Sequence, residues 1–370
     1  MRIEKILASQ LYRMFWARRA GLPVGKVSPQ VQAFIEQIPK VEIHVHFEGS
    51  LPVSAILALA RKHVGGIQTL RQAEALLRFS NPHQFFRNFM AVSALLRSPE
   101  DFYEAAVAVG QRYRDEHIEY AELTLAPHKF IREGIAYPAM MEAIAAGLAE
   151  GAGGTTQFRF ILDIVRDLGP ELGMEMMRIA ERHPLPAVVG IGLGGSEAFP
   201  PEASRDVYAF AKSIGLRKTA HAGEGMGPES IRGAIRHLKV ERIDHGVRAW
   251  EDPAVVELLK ERQIPLNLCV SSNVRLGVVP KLKAHPIRTY FEQGLSVNCS
   301  TDDPPFFGTT LSDELIRLVA FFRFSVWEIP ILIQNAVQAS FIDEADKPRW
   351  LNRFEIETAR LARRLGLTQS

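Results

Sequence analysis

The stretch Lys40–Pro52 reads K-V-E-I-H-V-H-F-E-G-S-L-P and alternates apolar with titratable residues. Val41, Ile43, Val45 and Phe47 share one parity; Glu42, His44, His46 and Glu48 share the other. Residues i and i+2 of a strand point to the same face. One face should therefore bury four hydrophobes, and the other should line up two imidazoles between two carboxylates. Histidines one pleat apart can reach the same cation, although H-x-H alone equally suits a surface strand with incidental histidines. Gly49 then breaks the strand, with Ser50 as the expected cap of a following helix and Pro52 in its first turn. Further along, T-A-H-A-G-E carries His221 and Glu224, R-I-D-H-G-V carries Asp244 and His245, and S-T-D-D-P carries Asp302 and Asp303. Three imidazoles and a carboxylate, from His44, His46, His221 and Asp302, form a donor set suited to zinc, with cobalt, nickel or iron possible. Such an ion lowers the pKa of a bound water to about 7. His245 could orient or deprotonate that water, Glu224 has the reach of a general acid/base, and Asp303 remains as an acceptor aimed at substrate. The set describes metal-assisted attack of hydroxide on an electrophilic carbon, with proton delivery to the leaving side.

These residues need a frame that brings them together. After a short helix (28–37) and the opening strand, a mostly helical stretch covers 50–117, with S-P-E-D at Ser98 as a cap signature and an apolar cluster at Phe79, Phe85, Phe86, Phe89 and Met90. Strand candidates then recur at 120–126, 157–165, 187–193, 217–221, 242–247, 265–270 and 295–300, with helical patterns between them. Eight strands alternating with helices predict an α/β fold, a (β/α)8 TIM barrel with extra helices. Active sites of such barrels lie at the C-terminal ends of the strands, which is where each motif above falls. The glycine turn G-L-G-G-S-E, Gly192–Glu197, ends strand four. No Gly/Ser/Pro-rich linker divides the chain, so residues 1–370 read as one domain. A helical extension is expected over 1–38, and helices over 311–370 should pack outside the barrel.

Composition excludes several classes. With 44 basic and 42 acidic residues the net charge is +2, which makes nucleic acid and anionic membrane poor partners. No apolar run reaches the roughly 18 to 20 residues needed to span a bilayer. The two cysteines, Cys269 and Cys299, read as buried reduced thiols within strands, as expected of a cytoplasmic protein. The basic N-terminus has apolar runs too short for a secretory signal, and an extra helix is the plainer reading than targeting.

Taken in order, H-V-H-F-E-G-S, H-A-G-E, R-I-D-H-G-V and S-T-D-D-P resemble the adenosine deaminase family over residues 39 to about 313. The resemblance implies the metal-dependent hydrolase barrel and hydrolytic removal of a 6-amino group from a small purine, with one zinc per chain. It implies His44, His46, His221 and Asp302 as zinc ligands, with His46 also facing substrate. By the same resemblance Glu224 protonates ring N1, His245 positions the hydroxide, Asp303 engages N7 and the Gly195 backbone contacts N3. Glu48 departs from the pattern, since adenosine deaminases proper usually place Asp there, against the ribose 5′-hydroxyl. H-x-H-x-E-G-S, with Ser271-Ser272-Asn273, is more similar to the branches acting on adenine or on 6-aminodeoxyfutalosine, a menaquinone precursor. An adenosine-like nucleoside is the first expectation, and those two substrates are the alternatives. Three other classes fit less well. Cytidine-type zinc deaminases need a C-x-x-C that this chain lacks. A non-catalytic binding protein on the same barrel would have lost a ligand or Glu224. A lactone or phosphotriester hydrolase using carboxylated Lys218 leaves H-A-G-E unexplained. The oligomeric state is not legible.

Overall fold

The computed structural model describes residues 22–368. The expected N-terminal extension lies largely outside the described residues. Among the described residues nine strands run in order: β1 (Lys40–His46), β2 (Ile118–Leu125), β3 (Gln157–Val165), β4 (Val188–Gly194), β5 (Arg217–Lys218), β6 (His221–Ala222), β7 (Ile243–His245), β8 (Leu266–Leu268) and β9 (Val297–Cys299). All pair in parallel with their sequence neighbours except β5 and β6, which do not pair with each other. β5 and β6 are two halves of the expected fifth strand. The first half pairs only with β4 and the second only with β7, and Thr219 and Ala220 between them bond one to each side. Closure is made by the bridge between Val45 and Asp302, with His46 N–H donating to the Asp302 carbonyl at 2.9 Å. Eight strand positions thus form the barrel.

Most helices fall where the sequence places them. Ser98 caps Pro99–Asp115 by accepting from the Asp101 N–H, and Ser28 caps Pro29–Gln37 in the same way. Pro170–Arg182 matches the expected span. Strands six to eight, expected at six residues each, are three long, having lost residues at both ends. Cys269 therefore lies just past β8, while Cys299 ends β9; both are buried and free.

β1 is buried on both faces, as a barrel stave is. Glu42, on the interior parity, accepts from the Thr301 hydroxyl at 2.5 Å and lies 3.6 Å from the Arg112 guanidinium, below the histidines. The expected extent of the strand is corrected, because it ends at His46. Phe47 turns into helical geometry and Glu48–Ser50 form one tight 3₁₀ turn, so Glu48 does not continue the pleat. Nor does Ser50 cap the next helix; its hydroxyl donates back to the His46 carbonyl at 2.7 Å, and Pro52 occupies the cap position. Phe47 anchors this turn. It is fully buried and stacks on Phe102, with a ring separation of 6.2 Å, a burial worth roughly 1.5–3 kcal/mol. One hydrophobic core runs from Phe34 to Ala362. The late helix Ile329–Ala339 covers the outer face of β1 and β9, with Val337 against Val41 and Ile43. Among the described residues no helix is long and apolar enough to cross a membrane.

Candidate metal centre and active site

Four strand ends meet at the barrel mouth. β1 delivers His44 and His46, β6 delivers His221, β7 delivers His245, and the turn after β9 delivers Asp302 and Asp303. His46 Nε2 lies 3.3 Å from His221 Nε2 and 3.4 Å from Asp302 Oδ1, and His44 Nε2 lies 3.8 Å from the same oxygen. Donors held about 2.0–2.1 Å from one tetrahedral zinc stand roughly 3.3–3.4 Å apart. The spacing, and a His44 Nε2 that is buried without a hydrogen-bond partner, fit a metal centre. His245 and Cys269 also crowd His44 and Asp302 within 4.8 Å. Burial pushes the Cys269 thiol well above its ordinary pKa, which makes it a poor donor.

Electrostatics suit the same reading. Burial depresses His46 to about 4, His245 to about 3 and His221 well below the usual histidine value, so these rings are neutral at pH 7. Burial also lowers His44, but the carboxylates of Asp244 and Asp302 outweigh it and lift the ring to about 9. A proton and a cation compete for that ring, so binding an ion there releases a proton. Burial raises Asp302, yet His245, His44 and His46 together hold it below the carboxylate range. Burial, reinforced by Asp302 and Glu197, pushes Glu224 well above its usual value. Burial and Asp302 do the same to Asp303.

Backbone strain marks the mouth. Asp302 and His245 have φ of +65° and +67°, a conformation that non-glycine residues rarely adopt. The surroundings hold Asp302 there, because its N–H and carbonyl both bond to β1 and Ser272 Oγ donates to its Oδ2 at 2.6 Å. Gly49 is equally constrained. A Cβ at that position would overlap Asp303 Oδ1, so the turn after β1 and the Asp303 carboxyl group are built for each other. Gly49→Ala is expected to displace Asp303 and to lower kcat/KM by about a hundredfold, with metal content unchanged; steady-state kinetics alongside elemental analysis checks this.

Several residues that sequence reasoning left without a role complete the site. Asp244 lies 3.2 Å from His44 Nδ1, and receives Thr219 Oγ1 and Asn267 Nδ2 at 2.7 Å each. It is the kind of partner that orients a ligating imidazole. Asn273 donates to Glu224 Oε1 at 3.2 Å and to His245 Nδ1 at 3.1 Å, and its own oxygen faces His285 Nε2 at 3.1 Å. With Nδ1 accepting, a neutral His245 carries its proton on Nε2, which points toward Asp302 Oδ2 at 3.9 Å. The Glu197 carboxylate accepts the N–H groups of Gly223, Glu224 and Gly225, each at 2.9 Å, and so fixes the loop that carries Glu224. Asp244 could have been found from its place beside His245; His285, far along the chain, gave no signal.

The remaining expected residues are also at the mouth. Gly195 has φ +82°, and the N–H of the next residue, Ser196, donates to Asp167 Oδ2 at 2.6 Å. Glu48 is buried and accepts the Ala126 N–H on Oε1 at 3.1 Å; burial lifts its pKa to about 7. Lys218 turns away from the site and donates to the Leu238 carbonyl at 3.0 Å. In the phenylalanine cluster Phe79, Phe85 and Phe89 pack on Phe306 and Phe307, just after Asp303, while Phe86 and Met90 are exposed.

A parallel barrel whose mouth gathers three histidines and an aspartate around one point, with a glutamate beside them whose pKa burial raises, defines a metal-dependent hydrolase. The sequence model described as adenosine deaminase matches residues 39–356, and the chain belongs to the adenosine deaminase family. It is therefore a hydrolytic deaminase of adenine-like substrates. An aminodeoxyfutalosine deaminase from Streptomyces avermitilis is 34% identical over 347 residues, covering 92% of this chain and 96% of that protein. An adenine deaminase from Marinomonas is 31% identical, covering 84% of this chain and 93% of the other. Among solved structures, adenine deaminase from Arthrobacter aurescens superposes with a TM-score of 0.81 at 31% identity, covering 88% of this chain and 99% of that one. A zinc-bound amidohydrolase from Burkholderia ambifaria gives 0.86 at 25% identity, covering 94% and 98%.

Proposed function

We propose that this protein removes the 6-amino group of an adenosine-like purine nucleoside by zinc-dependent hydrolysis. The observation that carries the reading is the geometry around His245. Asn273 ties it to Glu224, and its Nε2 is turned to the same aspartate that the metal-binding histidines face. His44, His46, His221 and Asp302 would hold the ion, which supplies a water acidic enough to attack at neutral pH. His245 Nε2–H donates toward the attacking oxygen and orients it, so its part is positioning rather than proton removal. Glu224, kept protonated by burial and its acidic neighbours, donates to ring N1 as C6 becomes tetrahedral and then recovers a proton for the departing ammonia. Asp303, protonated for the same kind of reason, meets N7, and the Gly195 backbone meets N3.

For the N9 side, a nucleoside is placed first because the matching family model is that of adenosine deaminase. Free adenine is the second reading, supported by adenine deaminases among the relatives; the Streptomyces relative makes aminodeoxyfutalosine the third substrate to try. A kcat/KM comparison of adenine, adenosine, 2′-deoxyadenosine, 5′-methylthioadenosine and 6-aminodeoxyfutalosine tests this. The nucleosides are expected to exceed adenine by at least about tenfold. Preference for the free base would overturn the nucleoside assignment and leave deamination standing.

A further inference from the structure

The end of strand three, D-I-V-R-D from Asp163 to Asp167, carries three charged residues with no part in the chemistry above. Two of them build the glycine turn. Arg166 donates to the carbonyls of Leu193 and Gly194 at 3.2 Å each and to that of His221 at 2.6 Å. Asp167 accepts the Ser196 N–H. Asp163 does something else. Its neighbour Ile164 faces Gly173 of the outer helix Pro170–Arg182, so Asp163 points inward on the opposite face of β3.

The inner face of β4 is shaped around this carboxyl group. A Cβ on Gly192 would lie 2.6 Å from Asp163 Oδ1, and a Cβ on Gly194 would overlap Oδ2. Two positions one pleat apart are thus kept free of side chains for a single acid. Asp163 is 5% exposed, and Oδ1 is buried without a hydrogen-bond partner. An unsatisfied buried group is costly, and a purely structural contact between β3 and β4 would be better made by apolar atoms. Burial, then Asp244 and Glu48, raise this carboxyl to about 8, which also places it among the groups of the mouth. Gly194, which it touches, adjoins Gly195, the assigned contact of ring N3. In a purine nucleoside the sugar group on the N3 side of the ring is the 2′-hydroxyl.

We propose that Asp163 is a specificity-determining residue whose carboxyl group hydrogen-bonds the 2′-hydroxyl of the substrate ribose. The assignment rests on the nucleoside reading above. Its test compares kcat/KM on adenosine and 2′-deoxyadenosine for wild type, Asp163→Asn and Asp163→Ser, with metal content and Tm measured for each. Wild type is expected to favour the ribonucleoside by about tenfold or more, the scale of one hydrogen bond to such a group. Both variants should lose that much on adenosine and little on 2′-deoxyadenosine, which brings the ratio near one while one metal per chain is retained. Gly194→Ala, whose methyl displaces the carboxyl group without altering it, should collapse the ratio in the same way and guards against a folding defect at position 163. An unchanged ratio in an enzyme that prefers nucleosides, or equal losses on both substrates with loss of metal, would overturn the role of Asp163 alone. A wild-type preference for free adenine would overturn the nucleoside reading and this proposal with it.

Discussion

Glu224→Gln is expected to lower kcat on every 6-aminopurine by about 10²- to 10⁴-fold, the range for removing a general acid/base, while metal content and Tm stay at wild-type values. The amide keeps the shape of the side chain and can still meet Asn273, but it has no proton to give ring N1. Its environment favours the protonated form. Burial, Asp302 and Glu197 all disfavour the carboxylate, and Glu197 is itself held by three backbone N–H groups of the loop it supports. A variant with near-wild-type turnover would remove Glu224 from proton delivery, and a variant that also lost its metal would reassign it to the ion.

His221→Ala is expected to leave well under one tightly bound ion per chain and activity at background. His221 contributes the nitrogen that faces His46 at 3.3 Å, so its loss opens one side of the donor set. The site is acid-rich, with Asp244, Asp302 and Asp303 buried and Glu224 half-buried beside them, so weak residual binding of a cation is expected. Stoichiometric, tightly held metal in the variant, measured by elemental analysis after dialysis, would exclude His221 as a ligand.

Much of this arrangement is legible in the sequence because barrel strands impose a rule. The polar residue that ends each strand must sit at the mouth, so H-V-H, H-A-G-E, D-H-G and T-D-D could be assembled without coordinates. What escaped was set by geometry that period-2 patterning does not encode. Glu48 shares the parity of His44 and His46, yet the strand stops at His46 and a tight turn carries the glutamate elsewhere. Strands six to eight are shorter than their apolar runs, and the left-handed backbone of His245 and Asp302 at the mouth is likewise invisible to such a pattern. The supporting shell was the least visible part. Asn273 meets Glu224 and His245, and His285 meets Asn273, only through the fold, and Asp163 is recognisable as an inward-facing acid only once Gly192 and Gly194 lie beside it.

The most direct test of the account is ammonia release by protein loaded with one equivalent of zinc, measured against adenosine with the metal-stripped protein as control. One ammonia is expected for each 6-oxopurine formed, at a rate that disappears on stripping the metal and returns when it is restored, with no such turnover in zinc-loaded Glu224→Gln. Zinc-loaded wild-type protein that releases no ammonia from adenosine, adenine or any other 6-aminopurine, or that turns over equally well when stripped, would contradict it.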